Sequence, residues 1–203
     1  MRSMIIRVLI GVFLLTGGIA SAPPARAAEP PTQFIQDLGD KALKVVADPT
    51  LSADSRKATL SALFFSDFDV PYIGRFVLGR YWRVATDQQK ADYLKVFGPY
   101  VVAIYADRFT AYGNVIFKAT GQSAIDQTMS VVHSTVDRGG GAPIIDIDWR
   151  VENTPSGYKI VDVIAENLSL SLTKRDEFGS VIENGGGNVQ TLIDMLKAKL
   201  AGN

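Results

Sequence analysis

The sequence predicts an α+β domain in which helices cover one face of an antiparallel sheet, and three observations carry that prediction. Apolar residues recur at helical spacing from Phe34 to Phe109. The period changes to two between Val115 and Glu166, where turns rich in Gly and Pro separate short β-rich runs. It returns to helical spacing from Leu168 to Leu200. Helices, then strands, then helices is the order of an α+β domain, and 203 residues suffice for one such domain with a sizeable core.

The chain opens on a segment outside that pattern. Arg2 and Arg7 precede the apolar run Val8–Ala20, and Ala25-Arg26-Ala27 fits a small-x-small cleavage site. These features read as a signal peptide over residues 1–27, cleaved after Ala27, with residues 28–203 as a single domain. A membrane span needs about 20 apolar residues, more than this run offers. The chain has no cysteine. The exported domain is therefore built without disulfides, and a lipoprotein anchor, which requires a Cys after the cleavage site, is excluded. The expectation is a soluble periplasmic protein.

The elements follow in order. Pro30-Pro31 is a stiff leader, and Thr32 reads as a cap for a helix carrying Phe34, Ile35, Leu38, Ala42, Val45 and Val46 that stops before Asp48-Pro49. A second helix begins near Ser52 and carries Leu60, Leu63, Phe64 and Phe65. The stretch from Phe68 to Phe109 comes next and has the densest apolar content. Thr86, followed three residues later by Gln89, predicts a capping box, and Tyr93, Phe97, Tyr100 and Ile104 recur at helical spacing behind it. Leu94, Val101 and Tyr105 form a second, adjoining stripe. Gly98-Pro99 predicts a kink there. Two stripes make a wider apolar face than one sheet contact needs. Core packing accounts for it, and so does the wall of a cavity for something apolar.

In the second half, residues 115–118 read as a strand candidate, and 127–137, 144–151 and 158–166 as three runs joined by tight turns, an antiparallel meander with one face covered. The third alternates cleanly: Ile145, Ile147, Trp149 and Val151 on one face, Asp146, Asp148 and Arg150 on the other. A helix from Leu168 ends at Gly185-Gly186-Gly187, and a last helix places Val189, Leu192, Ile193, Leu196 and Leu200 on one face.

Charge narrows the partners. Removing Arg2, Arg7 and Arg26 with the leader leaves 18 basic residues against 21 acidic, a net charge of −3. No electrostatic footprint for nucleic acid exists, nor a basic field for anionic membranes. The chain has no cysteine and His133 is its single histidine, so a thiol nucleophile and a His-based metal cluster are both excluded, and no metal or cofactor is expected. A Ser-His-Asp arrangement using His133 can be drawn, but no Gly-x-Ser-x-Gly elbow supports it, and a mid-strand His has a ready structural role. Asp146 and Asp148 share a strand face, as a glycosidase or divalent-metal pair would. Arg150 on the same face makes a solvated polar surface an equal account. These residues do not assemble a catalytic constellation.

Two blocks carry a family resemblance. Gly74-Arg75-Phe76-Val77-Leu78-Gly79-Arg80-Tyr81-Trp82-Arg83, then Ala85-Thr86, Gln88-Gln89-Lys90 and an aromatic-rich helix, resembles the MlaC (toluene-tolerance) family of periplasmic lipid carriers in ABC-type phospholipid transport. The second block is similar to the same family: Trp149-Arg150, Tyr158, Asp162 to Leu170, Thr173-Lys174-Arg175 and Glu177-Phe178-Gly179. The resemblance implies a nuclear-transport-factor-like curved sheet wrapped by helices, with acyl chains held between them as cargo and no catalysis. It implies as partners an inner-membrane lipid ABC transporter complex and an outer-membrane lipoprotein complex. The family has a hopanoid-associated branch, which leaves the lipid class open. The alternatives are a hopanoid or other polycyclic-lipid carrier, a small pocket enzyme using Asp146, Asp148 or His133, and a transporter accessory with no pocket.

A carrier must offset a large transfer cost. Two acyl chains of about 16 carbons lose on the order of 25 kcal/mol on leaving a membrane, at roughly 0.8 kcal/mol per CH₂. The apolar residues available to line a pocket are Phe76, Val77, Leu78, Tyr81, Trp82, Phe97, Val101, Tyr105, Ile145, Ile147, Trp149 and Val163. Periodicity does not divide these between pocket lining and solid core. Arg75, Arg80, Arg83 and Arg150 are candidates for docking contacts or headgroup neighbours, with surface solvation as the alternative for each.

Overall fold

The computed structural model describes residues 30–110 and 115–202. The signal peptide expected over residues 1–27, with its cleavage after Ala27, lies outside the described residues. Helix α1 (Pro31–Ala47) starts on its own proline, whose missing N–H costs nothing at the first helical position. Thr32 therefore does not cap it. One residue inside the helix, Thr32 donates its N–H and its hydroxyl to Gln122 Oε1, at 3.1 and 2.7 Å, tying α1 to the sheet. Helix α2 (Ala53–Asp67) is capped by Ser52, whose Oγ accepts from the Ser55 N–H at 3.1 Å. Helix α3 (Val70–Leu78) is capped by Asp69, which accepts from the Tyr72 N–H at 2.9 Å. It ends at Gly79, whose φ of +57° disfavours any side chain.

A 3₁₀ turn (Gly79–Arg83) leads to α4 (Asp87–Thr110). The capping box forms as expected. Thr86 Oγ1 accepts from the Gln89 N–H at 3.1 Å, and Gln89 Oε1 accepts from the Thr86 N–H at 3.0 Å. The helix continues through Pro99 rather than ending there. Pro99 faces solvent, and the buried Phe97 and half-buried Tyr100 on either side hold the segment against its neighbours.

The sheet is an antiparallel meander in chain order: β1 (Ile116–Ala124), β2 (Met129–Asp137), β3 (Ile145–Thr154), β4 (Gly157–Ala165) and β5 (Leu168–Ser169). β1 runs well past Lys118 because β2 supplies partners for it as far as Ala124. Register shifts at Ala119/Gly121 and Arg150/Val151 are bulges, which bend and twist the strands that carry them. Leu168 belongs to a short strand rather than to the following helix. Glu166 and Asn167, at φ of 50° and 66°, fold the chain back so that Leu168 pairs with Ala165. Helices α5 (Leu170–Asn184) and α6 (Val189–Ala201) follow, capped by Ser169 and Asn188.

Apolar burial divides into two clusters. The first lies among the helices α3–α6 and centres on Tyr93, Phe97, Phe178, Ile182, Leu192 and Leu196. The second joins Ile35 and Leu38 of α1 to Val132, Val151 and Ile160 of the sheet. Phe68 packs against both, and the Asp69 N–H donates to the Ile160 carbonyl at 2.9 Å, so this short segment fastens the helical core to β4.

Two substitutions test this packing. Among the described residues the fully buried Tyr93 hydroxyl has no hydrogen-bond partner, and burial pushes it well above its ordinary pKa. Tyr93→Phe removes that unsatisfied group and is expected to raise stability by about 1–3 kcal/mol in urea unfolding. A lower midpoint would show that the hydroxyl has a partner in solution. Gly39 of α1 lies against β1, where an added Cβ would sit 2.2 Å from the Phe117 ring. Gly39→Val is expected to cost about 1–3 kcal/mol, with a drop of about 2–4 °C in Tm per kcal/mol.

Candidate functional site

The face of the sheet turned toward α1 changes from sealed to open along its length. At one end Val132, Val151 and Ile160 are 0–1% exposed beneath Ile35 and Leu38. Along β3 the burial then falls away, from Val151 to half-buried Trp149, Ile147 and Ile145. β4 repeats the gradient from Ile160 through Val163 and Ala165, and Leu168 on β5 is 67% exposed. β2 runs from Val132 through Ser134 to half-buried Val136. Three strands thus present one apolar surface that deepens away from the β2–β3 hairpin. The polar atoms of Trp149 and Ser134 on this face are satisfied: Trp149 Nε1–H donates to Ser134 Oγ at 2.8 Å, and Ser134 donates to the Ile147 carbonyl at 2.9 Å. The Trp149 ring stands edge-on to Phe117, with centroids 6.2 Å apart.

Helix α4 shows the same change. In its first half Tyr93 and Phe97 are 0% and 1% exposed. In its second half Val101, Val102, Ala103, Ile104 and Tyr105 are apolar at five successive positions, and all five are half-buried. A helix apolar all round belongs in an apolar surround. Here that surround is incomplete. The chain between Thr110 and Ile116 can span at most about 22 Å. The C-terminal end of α4 therefore lies within about 22 Å of the start of β1, and Ile116 pairs with Asp137 at the open end of the sheet.

The twelve candidate lining residues separate accordingly. Val77, Leu78 and Phe97 are buried inside the helical cluster, and Phe76, Tyr81, Trp82 and Val101 pack against it. Trp149 and Val163 pack against the sheet cluster, while Ile145 and Ile147 lie on the open part of the sheet face and Tyr105 on the half-buried part of α4. Val136, Ala165, Val102 and Ile104 share these open surfaces and were missed. Ser134 sits between Val132 and Val136 and breaks the apolar alternation that would have marked β2.

The polar residues lie elsewhere. Arg75 and Arg83 are exposed; Arg80 pairs with Glu183 and donates to the Tyr81 hydroxyl at 2.9 Å. Arg150 contacts the buried Asp162 at 3.4 Å. Asp162 is further satisfied by Ser169 Oγ at 2.7 Å and by the N–H groups of Val163 and Ser171 at 2.9 and 3.2 Å, which anchors the start of α5 to β4. Asp146 is exposed, and Asp148 is taken up by His133. Two surface grooves of about 300 and 330 Å³ are present. The first is lined by Tyr72, Phe76, Ile125, Asp126, Met129, Arg150, Val161 and Asp162; donation from Thr128 and Met129 holds the Asp126 carboxyl below its ordinary pKa. The second runs between the 3₁₀ turn and α5. Both are at the small end of ligand pockets, and neither includes the apolar sheet face. Among the described residues no cluster of His, Asp and Glu could hold a metal, and no helix is long and apolar enough to cross a membrane.

Comparison with known proteins supplies the relatives. The profile of the MlaC protein family matches residues 36–198. The chain is 22% identical over 188 residues to the toluene tolerance protein ttg2D of Pseudomonas putida, covering 92% of this chain and 85% of that protein. It is 24% identical over 105 residues to the intermembrane phospholipid transport system binding protein MlaC of Haemophilus influenzae. That match covers 50% of this chain and 49% of the relative's length. Among solved structures, a phospholipid-binding protein from Ralstonia solanacearum in complex with a phospholipid aligns at a TM-score of 0.74 and 26% identity, over 84% of this chain and 97% of that one. The matched span runs from α1 through the sheet and into α6, taking in both apolar clusters and the open sheet face between them: this chain belongs to the MlaC family.

Proposed function

We propose that this protein is a periplasmic lipid carrier that holds the acyl chains of a phospholipid against the open half of the sheet face and the second half of α4. It shuttles that lipid between an inner-membrane transporter complex and an outer-membrane lipoprotein complex. The observation that carries the proposal is the gradient on β2, β3 and β4, a continuous apolar surface that is sealed at one end and uncovered at the other. A closed core would bury Ile145, Ile147 and Val163 as completely as it buries Val132 and Val151. The lipid-bound Ralstonia relative supports the same reading.

Acyl chains laid along this face recover the transfer cost of about 0.8 kcal/mol per CH₂ on leaving a bilayer. Their release faces the same term in reverse, so a partner must offer an equally apolar site or open the existing one. Carriage itself needs no covalent chemistry. The headgroup lies at the open end, near Ile116, Ile144 and Leu168, where solvent rather than a built polar pocket surrounds it.

The test is mass spectrometry of the protein purified from a periplasmic fraction, run natively and after organic extraction. About one phospholipid per chain is the expected result. A hopanoid in the extract would keep the mechanism and change the cargo. Protein that is free of lipid and takes up none from phospholipid vesicles would overturn the carrier reading.

A further inference from the structure

The opposite face of the sheet carries a serine, a histidine and an aspartate in line across three adjacent strands. His133 sits in the middle of β2. Its Nδ1 is 2.8 Å from Asp148 Oδ1 on β3, and its Nε2 is 3.1 Å from Ser123 Oγ on β1. A carboxylate only accepts, so the neutral imidazole carries its proton on Nδ1 and donates it to Asp148. Nε2 is then the lone-pair nitrogen, and the Ser123 hydroxyl donates to it. This is the polarity of a nucleophile, a general base and a residue that orients the base.

The register explains how the three meet. His133 stands directly opposite Asp148 on β3 and opposite Gly121 on β1. Gly121 places no side chain over β1 and its surroundings are open, so Ser123, two residues along, reaches the imidazole. The groove of about 300 Å³ lies further along the same strands. Ile125, two residues beyond Ser123, and Arg150, two beyond Asp148, both line it, with Tyr72, Phe76 and Met129 adding apolar wall. Ser123, Val131 and Arg150 are register partners across β1, β2 and β3. Among the described residues the Arg150 guanidinium makes one hydrogen bond, at 3.4 Å to Asp162, which leaves most of its donors for a developing negative charge.

We propose that Ser123 is a nucleophile for acyl transfer, activated by His133 and oriented by Asp148, whose substrates are carboxylic esters with a short apolar acyl group that fits this groove. Ser123 Oγ bonds to the ester carbonyl carbon while its proton passes to His133 Nε2. The tetrahedral intermediate collapses by breaking the bond to the leaving alcohol, which takes that proton. Water, deprotonated by the same nitrogen, then cleaves the acyl-serine, releasing the carboxylic acid and restoring the hydroxyl. The His133 and Asp148 side chains are 43% and 40% exposed, so the site is wet, and turnover is correspondingly slow. General-base assistance gives about 10²–10⁴-fold.

The purified full chain is treated with a fluorophosphonate probe, the adduct is mapped by peptide mass spectrometry, and p-nitrophenyl butyrate hydrolysis is followed in parallel. The expected result is one adduct per chain on Ser123 and hydrolysis at least tenfold faster than by Ser123→Ala. His133→Gln, whose amide can still bridge its two neighbours but cannot take a proton, is expected to fall to the Ser123→Ala level. Asp148→Asn is expected to lower kcat with little change in KM. An unlabelled wild-type Ser123 overturns the proposal and needs no variant to fold. Equal hydrolysis by wild type and Ser123→Ala also overturns it, as does unchanged labelling in His133→Gln, the outcome of a purely structural network. Lipid occupancy of Ser123→Ala is expected to equal wild type, since Ser123 lies off the apolar sheet face.

Discussion

Ile147→Glu is expected to lower lipid occupancy at least about thirtyfold while leaving the protein folded. Ile147 lies between Ser134 and Ala165 on the half-buried part of the sheet face, where the apolar surface begins to open. In the lipid-free protein a glutamate there can reach water, so the loss of stability is small. With acyl chains against the sheet the same carboxylate is held in hydrocarbon without a partner. Burying an unpaired polar group costs about 2–7 kcal/mol, and a charge costs more. Each 1.4 kcal/mol is about tenfold in occupancy. The measurement is lipid per chain by native mass spectrometry, with Asp146→Asn as the control, one residue away on the exposed opposite face. An Ile147→Glu protein that keeps wild-type lipid would show that the chains lie elsewhere.

Phe97→Ala is expected to cost about 3–5 kcal/mol, a large share of the roughly 5–15 kcal/mol that holds a domain of this kind together. Phe97 is 1% exposed, with its ring centroid 5.4 Å from that of Tyr93 and 6.4 Å from the edge-on ring of Phe178. Three elements meet at this side chain, since α4 packs there against α6 and Phe178 comes from α5. Truncation leaves a cavity that helices fixed on three sides cannot collapse to fill. In urea the midpoint should fall with an unchanged slope. A loss below about 1 kcal/mol accompanied by altered lipid binding would instead place Phe97 on the wall of a lipid cavity. The two experiments test one residue of the open sheet face and one of the helical core among the twelve candidates.

Local chemistry made much of the fold legible. The Thr86–Gln89 capping box, the Ser52 cap and the stop at Gly185-Gly186-Gly187 involve residues within a few positions of each other, and all three form. The alternation of Ile145, Ile147, Trp149 and Val151 with Asp146, Asp148 and Arg150 assigned the two faces of β3 because side chains on a strand alternate whatever surrounds them. Thr32 misled because the same residue type caps a helix or reaches across to a strand, and Gln122, which decided the matter, is 90 residues away.

Depth was not legible. Phe97 and Tyr105 lie at helical spacing on one element, yet one is sealed and the other half-buried, because the cluster formed with α5 and α6 closes over Tyr93 and Phe97 and does not take in residues 102–105. The Ser123–His133–Asp148 line was equally hidden. A Ser-His-Asp arrangement using His133 could be drawn, but its Ser and Asp were not named, and Ser123 joins it through a register that includes a bulge at Ala119/Gly121. The sequence by itself therefore determined the order of helices and strands and which face of each is apolar, since periodicity and capping act over a few residues. Only the tertiary structure decided which apolar residues are core and which remain open to a ligand, because burial depends on what the rest of the chain brings over that face.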